Sequence, residues 1–245
     1  MVKLSVNLNK VATLRNSRGG ERPHVVQAAR TCIEAGCHGI TVHPRPDGRH
    51  IRRYDVFDLA AMLTVEFNIE GYPSPEFLDL VRQVRPAQCT LVPDPPDVLT
   101  SNAGWDLSGD MAWLRDILQC LHDCGVRTSL FVEPDTDQVR RAKDIGADRI
   151  ELYTERYAKA FHTAQRDQVF DEYYQAAVVA QDVGLGLNAG HDLDLDNLPF
   201  FAQRIPGLLE VSIGHALISD ALEMGLRQSV KAYLRALGYH PMRDV

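Results

Sequence analysis

Eight short segments with alternating apolar and polar side chains, each separated from the next by enough chain for a helix, constrain this sequence more than any other feature. They span 3–7, 39–43, 66–70, 88–92, 128–132, 149–153, 185–189 and 209–213. Helical periodicity fills several of the gaps, at 24–35, 75–84, 110–124, 135–145, 168–183 and 216–237. Four of these end in a glycine, Gly36, Gly125, Gly146 or Gly184, where a helix C-terminus favours a left-handed residue. Strands alternating with helices imply parallel pairing through right-handed crossovers. An antiparallel sheet with one wet face would give the same alternation, but the gaps are too long for hairpins. Eight βα units, with no glycine-rich dinucleotide turn after the first strand, predict a closed (β/α)₈ TIM barrel forming one domain over residues 1–245.

The alternation also predicts which way side chains face. Leu4 and Val6, Ile40 and Val42, Phe67 and Ile69, Ile150 and Leu152, Leu185 and Leu187, and Leu209, Val211 and Ile213 form the apolar set that packs against the helices. Their polar neighbours then point into the barrel, which bulky branched residues usually fill. Glu66, Arg149 and Glu210 fall low on these inward faces. Because a lone buried charge is costly, they are expected to form an ion network beneath the site.

With 245 residues, 45% of them apolar, there is ample material for one core, and a net charge of −7 lacks the basic face that non-specific nucleic-acid binding requires. No apolar run approaches the roughly 20 residues of a membrane helix, and the first ten residues do not read as a secretion signal. A cytoplasmic protein with no nucleic-acid or membrane partner is expected. Cys32, Cys37, Cys89, Cys120 and Cys124 contain no C-x-x-C pair and read as buried small apolar residues in a reducing compartment.

Active sites of this fold lie at the carboxyl ends of the strands. Asn7, His43, Glu70, Glu151, His191 and His215 occupy those ends or follow them directly. One histidine there is ordinarily structural. Three of them on a ring with two carboxylates point to a site, because such groups are expensive to desolvate unless they are used. Arg45 follows His43 by two residues, where its guanidinium can meet a phosphate in bidentate fashion, and Arg15 and Arg18 after the first strand can serve likewise. Arg52 and Arg53 read as a solvated loop. The run SIGHA at 212–216 offers backbone N–H groups around Gly214 and His215 and a helix N-terminus, and Gly190 lies close by in NAGHD. The loop 93–109 is long for a βα connection and reads as a lid, with Thr100 and Ser101 at its centre. The spacings H-x-H and H-x-x-x-H are missing and a cation follows His43, so no metal is expected. No G-x-S-x-G elbow, phosphate-binding P-loop or dinucleotide fingerprint is present.

The segments ATLRNSRGG at 12–20, GITVHPRPDGRHI at 39–51, FNIEG at 67–71, LVPDPPDVLTSNAGWD at 91–106, LNAGHDL at 187–193 and SIGHAL at 212–217, with SLFVEPD and IELYT between them, resemble the pyridoxine 5′-phosphate synthase family over nearly the whole chain. The resemblance implies a homo-oligomeric barrel enzyme, an octamer, that condenses 1-deoxy-D-xylulose 5-phosphate with 3-amino-2-oxopropyl phosphate. It implies His43 and Glu70 as bases, His191 as acid and Glu151 as a support for the transition state. It further implies that Asn7, Arg18, Gly214 and His215 hold the amino-ketone phosphate, Arg18 reaching a neighbouring subunit's site, and that Arg45, His50 and Thr100 hold the sugar phosphate. The ring-forming steps involve no redox change, so acid–base residues suffice and no cofactor is expected.

Two departures stand out. The best-known members read N-x-D-H where this chain has Asn7, Leu8, Asn9 and Lys10, which leaves Asn9 and Lys10 as substrate-side residues of open role. Asp192 replaces a glycine and brings a carboxylate to the phosphate side, where it would repel the ligand unless it turns away. Two readings compete with the synthase: another phosphosugar isomerase or aldolase, for which Lys10 is the one strand-end lysine, and a phosphosugar-binding sensor.

Overall fold

The computed structural model describes residues 1–93 and 103–239. Eight parallel strands close into a barrel in sequence order: β1 (Lys3–Asn7), β2 (Gly39–Val42), β3 (Glu66–Gly71), β4 (Gln88–Leu91), β5 (Arg127–Val132), β6 (Arg149–Tyr153), β7 (Gly186–Gly190) and β8 (Leu208–Ile213). The helices around them are α1 (Asn9–Asn16), α2 (Val25–Glu34), α3 (Arg53–Met62), α4 (Pro75–Val84), α5 (Ala112–Asp123), α6 (Thr136–Asp144), α7 (Glu155–Ala160), α8 (Arg166–Asp182), α9 (Leu198–Arg204), α10 (His215–Met224) and α11 (Leu226–Ala236). The (β/α)₈ expectation therefore holds. So do the four helix-ending glycines, which adopt φ of 103° (Gly36), 76° (Gly125), 95° (Gly146) and 71° (Gly184). Among the described residues, no helix is long and apolar enough to cross a membrane.

The two-faced strands sort as expected. Leu4, Val6, Ile40, Val42, Ile69, Ile150, Leu152, Val211 and Ile213 are fully buried in the layer beneath the helices. Inside the barrel a polar lattice replaces the usual aliphatic filling. Ser5 and Thr41 share a 2.7 Å hydrogen bond, Thr90 donates to Asn68 at 3.0 Å, and Asn188 donates to Gln88 at 3.4 Å. Each of these buried polar groups thereby gains a partner, which makes a polar lumen affordable.

Several sequence expectations need correction. Arg149 feels the charges of Glu210 and Glu66, but its hydrogen bond goes to Asn188 Oδ1 at 3.1 Å, and among the described residues it makes no direct ion pair with either carboxylate. Glu66 instead pairs with Lys3 and Arg127 at the barrel floor. Burial acts to raise its pKa, but these two cations outweigh it and hold the carboxyl at about 2. Leu209 is 41% exposed rather than packed under a helix. The pairing steps from Leu187↔Leu208 to Asn188↔Glu210, so Leu209 is the extra residue of a bulge and loses its place in the alternation. The helix expected over 216–237 is broken at Gly225 into α10 and α11. Cys120 and Cys124 are half-buried, whereas Cys32, Cys37 and Cys89 are buried as expected.

Arg15 is no phosphate ligand. It is 2% exposed and grips Asp55 through both terminal nitrogens, at 2.5 and 2.9 Å. Asp55 also accepts the backbone N–H of Arg52 at 2.8 Å, so Arg52 and Arg53 open α3 instead of lying in a loop. The pair ties α1 to α3, and α1 carries Asn9 and Lys10 into the barrel mouth.

Candidate active site

At the carboxyl end of the barrel, a cavity of about 270 Å³ is lined by Asn7, Asn9, Lys10, His43, Arg45, His50, Glu70, Phe131, Glu151, His191, Asp192, Ser212, Gly214 and His215. Every strand-end group singled out from the sequence is among them. Arg18 is exposed and does not line this cavity, and Thr100 and Ser101 lie outside the described residues. Most of the loop 93–109 lies outside them too. Its final part packs down, with Trp105 donating its indole N–H to Leu91 O at 2.9 Å and its backbone N–H to Phe131 O at 2.8 Å. A neighbouring groove of about 400 Å³ shares His43 and Arg45 but is otherwise walled by groups such as Pro44, Pro46, Tyr72, Phe77 and Leu80, and Glu76 is its one carboxylate among the described residues.

Phe131 and Ser212 were not anticipated, because attention to titratable groups passes over them. Register was the available signal. Phe131 pairs with Glu151, and Ser212 pairs with Gly190, the residue before His191, so each sits on an inward face beside a titratable group.

The hydrogen bonds explain how the mouth is organised. Asn7 Nδ2 donates to Glu70 Oε2 at 3.3 Å, while Asn7 Oδ1 accepts the backbone N–H of Asn9 at 3.0 Å. Asn9 Oδ1 in turn accepts the backbone N–H of His43 at 2.9 Å. Asn9 thus stitches the start of α1 to the end of β2, a task for which asparagine and aspartate oxygens are equally suited. Lys10 lines the mouth and adds a cation to it.

Asp192 is turned towards its neighbour, with His191 Nδ1 lying 2.6 Å from its Oδ2. Gly190 is needed for space. A Cβ there would come within 2.5 Å of Glu151 Oε1 and 2.7 Å of Ser212 O.

These surroundings push the four titratable groups apart. His43 is buried, and burial, followed by Arg45, His50 and Arg49, holds its pKa well below the ordinary value, so the imidazole is neutral at pH 7. Burial raises the Glu70 carboxyl to about 7, with Glu210 adding to the rise and His191 opposing it. Glu151 is 4% exposed, and its carboxyl is raised well above the usual range by burial, then by Glu70 and Glu210. Among the described residues, its Oε2 has no hydrogen-bond partner. Burial works against a charged His191, yet its hydrogen bond to Asp192, with the charges of Asp192, Glu70 and Glu155, raises its pKa overall. One wall of the mouth therefore holds a neutral imidazole and the opposite wall an imidazole disposed to be protonated. Between them are carboxyls tuned towards neutrality, as acid–base catalysis near pH 7 requires. Groups with the chemistry to hold an anion are Arg45, Lys10 and the first turn of α10, which begins at His215 behind Gly214. Among the described residues, no three His, Cys, Asp or Glu side chains are grouped to hold a metal ion.

A family model described as pyridoxal phosphate biosynthesis protein PdxJ matches residues 4–239. The chain belongs to the PdxJ family. Similar curated proteins include the pyridoxine 5′-phosphate synthase of Phocaeicola vulgatus, 55% identical over 97% of this chain and 99% of the relative, and that of Bacteroides fragilis, 56% identical over 97% and 100%. Solved structures add the fold alone. Phosphoribosylanthranilate isomerase from Thermotoga maritima superposes with a TM-score of 0.60 at 14% identity, covering 97% of this chain and 99% of that one. Tryptophan synthase from M. tuberculosis gives 0.64 at 13% identity, covering 98% and 94%. Membership of this family makes the chain a ring-forming enzyme of vitamin B6 biosynthesis.

Proposed function

We propose that the chain condenses 1-deoxy-D-xylulose 5-phosphate with 3-amino-2-oxopropyl phosphate, releasing pyridoxine 5′-phosphate, phosphate and water, by acid–base catalysis at this mouth. The observation that carries the reading is the convergence of His43, Glu70, Glu151 and His191 in one cavity with Arg45 and the start of α10. Ring formation needs attack of an amine on a ketone, loss of water and phosphate, and an aldol-type closure. Each step removes a proton next to a carbonyl or imine, or delivers one to a leaving oxygen.

His43, neutral at working pH, takes the first proton. Glu70, with its pKa near 7, both accepts and returns protons during the eliminations. His191 delivers a proton to a departing oxygen, and Glu151, kept protonated by burial, offers a hydrogen bond to oxygens that gain charge in the transition state. Asn7, Gly214 and His215 hold the amino-ketone phosphate, and Arg45, His50 and Thr100 hold the sugar phosphate. Phe131 supplies an apolar wall for the nascent ring. Arg18 is exposed and does not line its own cavity, which fits a role at the mouth of a second copy in a cytoplasmic homo-oligomer, an octamer.

The test is to supply the purified chain with both phosphorylated substrates and follow pyridoxine 5′-phosphate and inorganic phosphate. Both products are expected in equal amounts, with neither formed when one substrate is omitted. Release of phosphate from a single substrate, without the pyridine, would overturn the reading.

A further inference from the structure

We propose that Asp192 is a positioning residue for the acid His191, clamping Nδ1 so that Nε2 carries the transferable proton; this rests on the synthase reading above. The argument begins with the backbone. His191 has φ of 98°, a conformation rarely adopted by a residue with a side chain. Several contacts hold the turn there. Thr154 Oγ1 donates to Gly190 O at 2.7 Å and accepts the backbone N–H of Asp192 at 3.3 Å, while Asn197 Nδ2 donates to Asp192 O at 3.2 Å. The edge of Tyr153 meets the His191 ring at 5.1 Å between centroids. Within this frame the Asp192 carboxylate reaches His191 Nδ1 at 2.6 Å. An ionised carboxylate only accepts, so Nδ1 must donate, which fixes the tautomer and leaves Nε2 as the second ring nitrogen.

The charged groups facing the ring are Asp192 on its own turn, Glu70 on β3 and Glu155 on α7, with Glu151 of β6 beside Gly190 and the Tyr153 phenol against the ring. Asp192 is the member of this set in direct hydrogen-bond contact, so its removal is the specific perturbation.

The experiment compares the parent with Asp192→Asn and Asp192→Glu by two readouts. NMR titration of the His191 ring in the substrate-free chain does not depend on turnover, so it separates failure of this proposal from failure of the synthase reading. The imidazole midpoint is expected to fall by about one pH unit in Asp192→Asn, the scale of losing an adjacent opposite charge, and to return towards the parent in Asp192→Glu. In turnover, the alkaline limb of kcat should move down by the same amount. At a pH well above the parent midpoint that gives a loss of about tenfold, with KM for either substrate within about twofold. An unmoved His191 midpoint would overturn the proposal, and so would an unmoved alkaline limb accompanied by a raised KM, the signature of a substrate ligand.

Discussion

Replacing Glu70 by glutamine is expected to cut turnover about 10²-fold or more, the usual consequence of losing an acid–base group, while KM for both substrates changes little. The amide retains the shape and can still accept from Asn7, so the constellation stays in place. In the parent, the base form of Glu70 exists only above its raised pKa of about 7, and the acid limb of kcat should therefore fall away below that value. This limb should disappear in Glu70→Gln.

The same shift has a stability consequence of definite sign. The folded chain holds the Glu70 proton between the ordinary carboxyl value and about 7 while the unfolded chain has released it, so this group's contribution to stability declines as pH rises through that window. Glu70→Gln escapes the loss and should melt no lower than the parent at pH 8. Near-parental turnover would remove Glu70 from the mechanism, and a collapsed melting temperature would make it structural.

Gly190→Ala is the second large effect. The added methyl would meet Glu151 Oε1 at 2.5 Å and Ser212 O at 2.7 Å. Ser212 belongs to β8 and is paired with Gly190 across the ladder, so its carbonyl has little freedom, and the Glu151 carboxyl must give way. A misplacement of roughly 1 Å at a catalytic group costs on the order of 10²-fold in rate. Steady-state kinetics should show that loss in kcat with the barrel still folded. A variant with parental kcat would mean that Glu151 tolerates displacement and does not act at the reacting atoms.

Much of this architecture was legible in the sequence because a barrel strand writes its two faces into alternate residues. Ser5, Thr41, Asn68 and Glu210 declared a polar lumen, and His43, Glu70, Glu151 and His191 were found by asking which titratable groups end such strands. What stayed hidden depended on partners distant in the chain. Arg15 resembles any surface arginine until α3 brings Asp55 to it. Asn9 shows its purpose only when the end of β2 lies beside α1. The bulge at Leu209 inserts one residue without any sequence marker. Lys3 and Arg127 meet Glu66 only because the barrel closes β1 and β5 around one floor. The helix α1 has no side-chain cap at Leu8, so its start carried no ordinary signal.

The central claim is that acid–base groups from four separate strand ends act on one ligand whose phosphate rests at the start of α10. A crystal structure of the chain grown with pyridoxine 5′-phosphate tests it most directly. The account predicts the pyridine ring against Phe131, within hydrogen-bonding reach of Glu70, Glu151 and His191, and the phosphate at the backbone N–H groups of Gly214 and His215. Product seated in the apolar groove beside Tyr72 and Phe77, with the mouth unchanged, would contradict it.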